Sequence, residues 1–187
     1  MLYPDAVTLD PVVDAEQLLS RIDAGRGCSI KDSFATLDLA AHGFRRLIEA
    51  EWVVVDRASA AEHWSTLESP AQLEEWSSAW SGGISSDFFR PTLLLTPGIA
   101  VLARYDGGRL TAGAVANRSR TVIGVSNVFD IEDDFAAAWR GAAGAAAARW
   151  ESMPVVGWAS GTELEAARQA GSRTAGPLVV WTNARPV

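Results

Sequence analysis

Hydrophobic positions in this chain recur at two spacings, and each change of spacing marks an element. Asp10-Pro11 has the order of an N-cap followed by a first helical residue. Val12, Leu18, Leu19 and Ile22 then form an apolar stripe that Gly25 and Gly27 end. Two strand-like runs follow, over 29–39 and 44–55. In the second, Ile48, Ala50, Trp52 and Val54 alternate with Glu49 and Glu51, and the intervening Ala40-Ala41-His42-Gly43 suits a hairpin. Ser69-Pro70 opens another helix. Its Leu73, Trp76 and Trp80 share a face, Glu74 and Glu75 lie near its N-terminal dipole, and Gly82-Gly83 ends it. Residues 81–92, with Asp87, Phe88, Phe89 and Arg90, keep no period and form the longest loop.

Beyond that loop the pattern is a meander. Runs at 99–105, 110–116 and 121–129 are joined by Asp106-Gly107-Gly108 and Asn117-Arg118-Ser119, both turn sequences. An alanine-rich helix is expected over 134–150, a short buried strand over 154–159, a helix from Gly161 to Gly171, and a last strand over 178–182. No internal repeat or low-complexity linker interrupts the chain, so one domain over 1–187 is expected.

Composition narrows the partners. A chain of 187 residues, 48% hydrophobic, can bury a core, and no segment joins high charge to low hydrophobicity as disorder requires. The net charge of −7 argues against nucleic acid and anionic membrane surfaces, which both select basic patches. An acidic surface suits a cationic amine, and it also serves solubility alone. No run reaches the roughly 18 apolar residues of a membrane span, and the first residues lack the pattern of a signal peptide. With Cys28 as the only cysteine, the expectation is a reducing cytoplasm. Lys31 is the only lysine among sixteen basic residues, a bias that points to a high-GC, bacterial genome.

The order expected from Phe44 onward is strand, two helices, three meander strands, helix, strand, helix, strand. Three segments sharpen it. Val155-Val156-Gly157-Trp158 with Glu163-Leu164-Glu165-Ala166-Ala167-Arg168-Gln169-Ala170-Gly171 resembles the fifth strand and fourth helix of the GNAT superfamily of N-acetyltransferases. Asp106-Gly107-Gly108-Arg109-Leu110-Thr111-Ala112-Gly113 resembles the hairpin between that family's second and third strands, and Ala175-Gly176-Pro177-Leu178-Val179-Val180-Trp181 its ending in many bacterial members. The resemblance implies an α/β (α+β) fold with a mixed, mostly antiparallel central sheet flanked by helices. It covers a core of 44–187, and residues 1–43 read as an extension that adds an N-terminal helix and strand.

The same resemblance implies attack of an amine on an acyl thioester, with acetyl-CoA as cofactor and a small-molecule amine as acceptor. It also implies a possible homodimer through the apolar last strand. The family cradles the CoA pyrophosphate on N–H groups at the start of its third helix, in Arg/Gln-x-x-Gly-x-Gly/Ala. The nearest match is Arg140-Gly141-Ala142-Ala143-Gly144-Ala145, with alanine at the first glycine, so Arg140 and Gly141 are the phosphate candidates. Before it stands Asp130-Ile131-Glu132-Asp133-Asp134, whose carboxylates would repel phosphate or simply cap the helix. The thioester arm pairs with the family's fourth strand near a bulge. Val125, Asn127, Val128 and Phe129 occupy that place, with Asn127 either satisfying a bulge or donating to a ligand carbonyl.

The family's usual acid is a tyrosine in the fourth helix. Here Tyr3 and Tyr105 are the only tyrosines and neither is that late, so no catalytic residue is assigned. Glu49 and Glu51 share a strand face that is either an amine pocket or solvated; Phe88 and Trp158 complete the acceptor candidates. His42 and His63, in a turn and a helix, read as surface or cap residues and have no zinc spacing, so no metal is expected. Cys28 lacks a histidine partner, and Ser126 lacks a nucleophile elbow. Three readings remain: an acyl-CoA-dependent N-acyltransferase, a non-catalytic ligand-binding or interaction module of the same fold, and an enzyme turned to a non-CoA substrate.

Overall fold

The computed structural model describes residues 4–59, 61–84, 88–150 and 153–183. In chain order its elements are β1 (Ala6–Val7), α1 (Ala15–Leu19), β2 (Ser29–Asp32), β3 (Arg45–Val55), β4 (Trp64–Thr66), α2 (Pro70–Trp80), β5 (Ile99–Asp106), β6 (Arg109–Arg118), β7 (Ile123–Asp130), α3 (Phe135–Arg149), β8 (Val155–Ala159), α4 (Gly161–Gln169) and β9 (Arg173–Thr182). The fold is mixed α/β, as expected, with mostly antiparallel strands flanked, among the described residues, by four α-helices. It separates into two compact units, Met1–Trp52 with Ala175–Val187, and Val53–Thr174.

In the first unit the strands run in the order β1-β2-β9-β3. β2 and β9 are antiparallel, with Ile30 opposite Trp181. The hairpin expected between 29–39 and 44–55 does not form, because β9 lies between β2 and β3. Asp32 ends β2 early: its buried carboxylate accepts from Phe34 N, Leu37 N and Thr8 Oγ1. The linking segment is one 3₁₀ turn, Ala40–His42, closed by Gly43 at φ 82°. Helix α1 is shorter than its apolar stripe suggested. Asp10 accepts from Val12 N in a local turn, and Asp14 caps the helix instead. Leu18, Leu19 and Ile22 still pack on the core of Ile30, Leu39, Phe44 and Trp181.

In the second unit the order is β8-β7-β6-β5-β4. The meander is antiparallel as expected, and the β7–β8 pair is parallel. One apolar layer lies under α3 and α4: Leu102, Ile123, Val125 and Val155 meet Trp139, Ala142, Ala146 and Ala167. A second lies under α2: Val101, Leu110 and Val115 meet Leu73 and Trp76. The alanines of α3 bring its axis close to the strands, because a helix with short side chains can approach its neighbours. Where even a methyl is too large the chain has glycine. A Cβ at Gly141 would overlap the indole of Trp64, and one at Gly144 the carbonyl of Ser59.

Helix α2 begins with a reciprocal cap between Ser69 and Gln72 and with Pro70 in its first turn. Of the two helices expected before the meander only α2 is present; Pro91–Leu95 is a 3₁₀ turn, and Pro97, which follows closely, cannot continue a helix. The short strand β4 was not expected. It pairs along β5, and His63 precedes it at φ 64°, so His63 is not in a helix.

Candidate functional site

Strand β7 departs from regular pairing with β6 at one point. Val115 pairs with Ser126, but Gly113 pairs with Phe129, so β7 carries one extra residue between the two pairs. That surplus is a β-bulge. Its centre is Asn127, at φ 52°, a left-handed conformation that asparagine tolerates better than most residues. The Asn127 side-chain amide donates to Ser126 Oγ at 3.1 Å. The bulge also resets the alternation of the strand. Val125 and Val128 face the α3 layer, whereas Phe129 turns to the α2 layer; without the extra residue, 125 and 129 would share a face.

The parallel pairing with β8 covers Ile123↔Val155 and Gly124↔Val156. Just beyond it stands Gly157, where a Cβ would lie 2.5 Å from the ring of Trp139 and 2.9 Å from the carbonyl of Val125. The Trp139 indole therefore fills the floor between the two strands. Its N–H donates to Ser172 Oγ at 2.7 Å, in a buried bond. Trp158 is half-buried on β8.

Phe129 is held by aromatic contacts. Trp76 meets it edge-on, with centroids 5.2 Å apart, and Trp76 also meets Phe89 at 4.9 Å. Trp80 meets Phe89 and Phe88 in the same manner. Each such pair contributes roughly 0.5–1.5 kcal/mol beyond its buried area. The chain of rings joins the bulged end of β7 to α2 and to the residues before Pro91. Phe88, at its outer end, is 52% exposed. Asp87 lies outside the described residues.

The acidic stretch that begins at the end of β7 has a local task for nearly every carboxylate. Asp130 is buried and accepts from Arg104 Nη2 at 3.0 Å, while Arg104 Nε donates to Thr111. The other oxygen of Asp130 accepts from Glu132 N. Glu132 pairs with Arg109 at 2.8 Å. Asp133 turns the chain at φ 61°. Asp134 is the N-cap of α3 and accepts from Ala137 N at 2.9 Å. The helix thus starts directly after a capped turn. Arg140 lies exposed in its second turn, and Gly141 faces Trp64.

The remaining candidates lie elsewhere. Glu49 and Glu51 belong to the first unit, on β3, where Glu49 pairs with Arg46 at 3.4 Å. Tyr105 sits in the α2 layer, and its buried hydroxyl has no partner among the described residues; burial, then Glu75, pushes its pKa up. Tyr3 lies outside the described residues. Cys28 is 4% exposed, and burial first, then Asp5 and Asp23, raise its thiol pKa, so it is a poor nucleophile. Among the described residues no group of His, Cys, Asp or Glu could hold a metal ion, and no helix is long and apolar enough to cross a membrane. Sequence reading missed the Trp139–Ser172 floor. A tryptophan in an alanine-rich helix and a glycine in a five-residue strand were its only signals.

No family model and no curated protein matches this chain. Solved structures do. A conserved protein of unknown function from Staphylococcus epidermidis aligns with a TM-score of 0.63 at 11% identity, over 91% of this chain and 77% of its own. A GCN5-related N-acetyltransferase from Kribbella flavida aligns at 0.58 and 15%, over 91% and 73%. A putative GNAT-family acetyltransferase from Novosphingobium aromaticivorans aligns at 0.54 and 15%, over 90% and 79%. The chain has the fold of the GCN5-related N-acetyltransferases, in a divergent form.

Proposed function

We propose that this protein binds an acyl-CoA, acetyl-CoA in the simplest case, and transfers the acyl group to a small-molecule amine. The observation that carries the reading is the bulge at Asn127, placed just past the last β7–β8 pair. A bulge frees backbone groups from the ladder, and strands that stop pairing leave an opening beside them. A thioester arm laid there would meet the β7 backbone from Val125 to Phe129. Arg140, exposed on α3, would supply the cation for the phosphates, with Gly141 next in sequence. Phe88 and Trp158 are the acceptor-side candidates in the same unit. The test is thermal shift or calorimetry with acetyl-CoA. A ligand at a hundred times its Kd stabilises by about 2.7 kcal/mol. No shift at millimolar acetyl-CoA would sink the proposal.

A specific observation favours a second reading, a GNAT-fold module without acyl-CoA. The first turn of α3 is capped by its own Asp134, in the place where the family's phosphate site would lie. Asp134→Ser keeps a capping oxygen and removes the charge. Under the first reading this variant binds acetyl-CoA more tightly than the wild type. Under the second, neither protein binds it.

A further inference from the structure

Resting on that reading of the β7–β8 opening, we propose that Ser126, polarised by Asn127, carries the proton to the leaving thiolate, the task that has no tyrosine here. Ser126 pairs with Val115, so the two side chains share a face of β7. Val115 belongs to the α2 layer, yet Ser126 itself is exposed, immediately before the bulge. Its hydroxyl thus points to the α2 side, the side that also holds the aromatic chain from Phe129 to Phe88.

The direction of the hydrogen bond matters. Asn127 Nδ2 donates and Ser126 Oγ accepts. The hydroxyl proton of Ser126 is then left for another acceptor, and accepting a bond makes an O–H a better donor. The left-handed backbone of Asn127 holds its amide next to that oxygen. In the reaction the amine lone pair forms a C–N bond to the thioester carbonyl and the C–S bond breaks. The sulfur takes the proton from Ser126 Oγ, and Oγ takes one from the amine nitrogen. One amide and one free thiol result, with no other reactant consumed.

The test uses the full chain, acetyl-CoA, and hydroxylamine as a small probe amine, with release of CoA thiol as readout. Binding of acetyl-CoA is measured in parallel by calorimetry. The wild type should release thiol faster than a protein-free control. Ser126→Ala should lower kcat about 100-fold, the lower range for a positioned acid–base group, with acetyl-CoA binding unchanged. Ser126→Thr should recover part of the rate. Asn127→Gly keeps the left-handed backbone and loses the donor, and its kcat should fall several-fold. An unchanged kcat in Ser126→Ala overturns the proposal, as does a wild type that binds acetyl-CoA without accelerating thiol release. An unchanged kcat in Asn127→Gly removes the role of Asn127. Absence of acetyl-CoA binding overturns the underlying reading instead.

Discussion

Gly113→Ala would place a methyl group where two aromatic rings already lie. Gly113 pairs with Phe129 across β6 and β7. A Cβ there would overlap Trp76 Nε1 and come within 2.5 Å of Phe129. Trp76 cannot give way cheaply: it is fully buried and its N–H donates to the Leu102 carbonyl at 2.9 Å. Overpacking costs about 1–3 kcal/mol. If Trp76 shifts enough to lose its bond, an unsatisfied buried N–H adds about 1–3 kcal/mol. The expected loss is therefore about 3 kcal/mol, equivalent to a Tm roughly 6–12 °C lower for a chain of this size. Urea unfolding followed by tryptophan fluorescence measures it. Trp76→Phe removes the atom that the methyl would strike, so Gly113→Ala should cost at least about 1 kcal/mol less in that background. A loss under about 0.5 kcal/mol in the wild-type background, within the range of an ordinary surface change, would refute the reasoning. So would additive costs in the double variant. The same substitution displaces Phe129 from the bulged end of β7, so acetyl-CoA binding should weaken along with stability.

Two further outcomes are expected. Arg104→Met leaves the Asp130 carboxylate, which is 1% exposed, without its cation, and should cost about 3 kcal/mol in chemical unfolding; Asp130→Asn should cost less, because Arg104 is 22% exposed and reaches water. Cys28 should react with a disulfide reagent far more slowly in the folded chain than in urea at pH 8. Its folded pKa is raised, so the thiol stays protonated while the unfolded chain ionises near about 8.5. This contribution to stability is full below that pH, shrinks as pH rises towards the folded pKa, and is absent from Cys28→Ala.

What could be read from the sequence was whatever depends on near neighbours. The meander showed through its Asp106-Gly107-Gly108 and Asn117-Arg118-Ser119 turns, because turn chemistry acts over four residues. Helix α2 showed through Ser69-Pro70, and α3 through its acidic start, because caps bond to N–H groups two or three positions along the chain. The bulge was legible only as a polar residue, Asn127, in an apolar strand. Its position depends on how Gly113 and Val115 pair from another strand, and the period of β7 alone gives no register. Tertiary structure also decided that β9 enters between β2 and β3, where the linking residues suited a hairpin. Strand order is set by which apolar faces meet, here Ile30 with Trp181, residues far apart in sequence. It decided the work of the glycines as well. Gly113, Gly141 and Gly157 look alike in the sequence, and each is needed because a different tryptophan, Trp76, Trp64 or Trp139, packs against its backbone from a distant element.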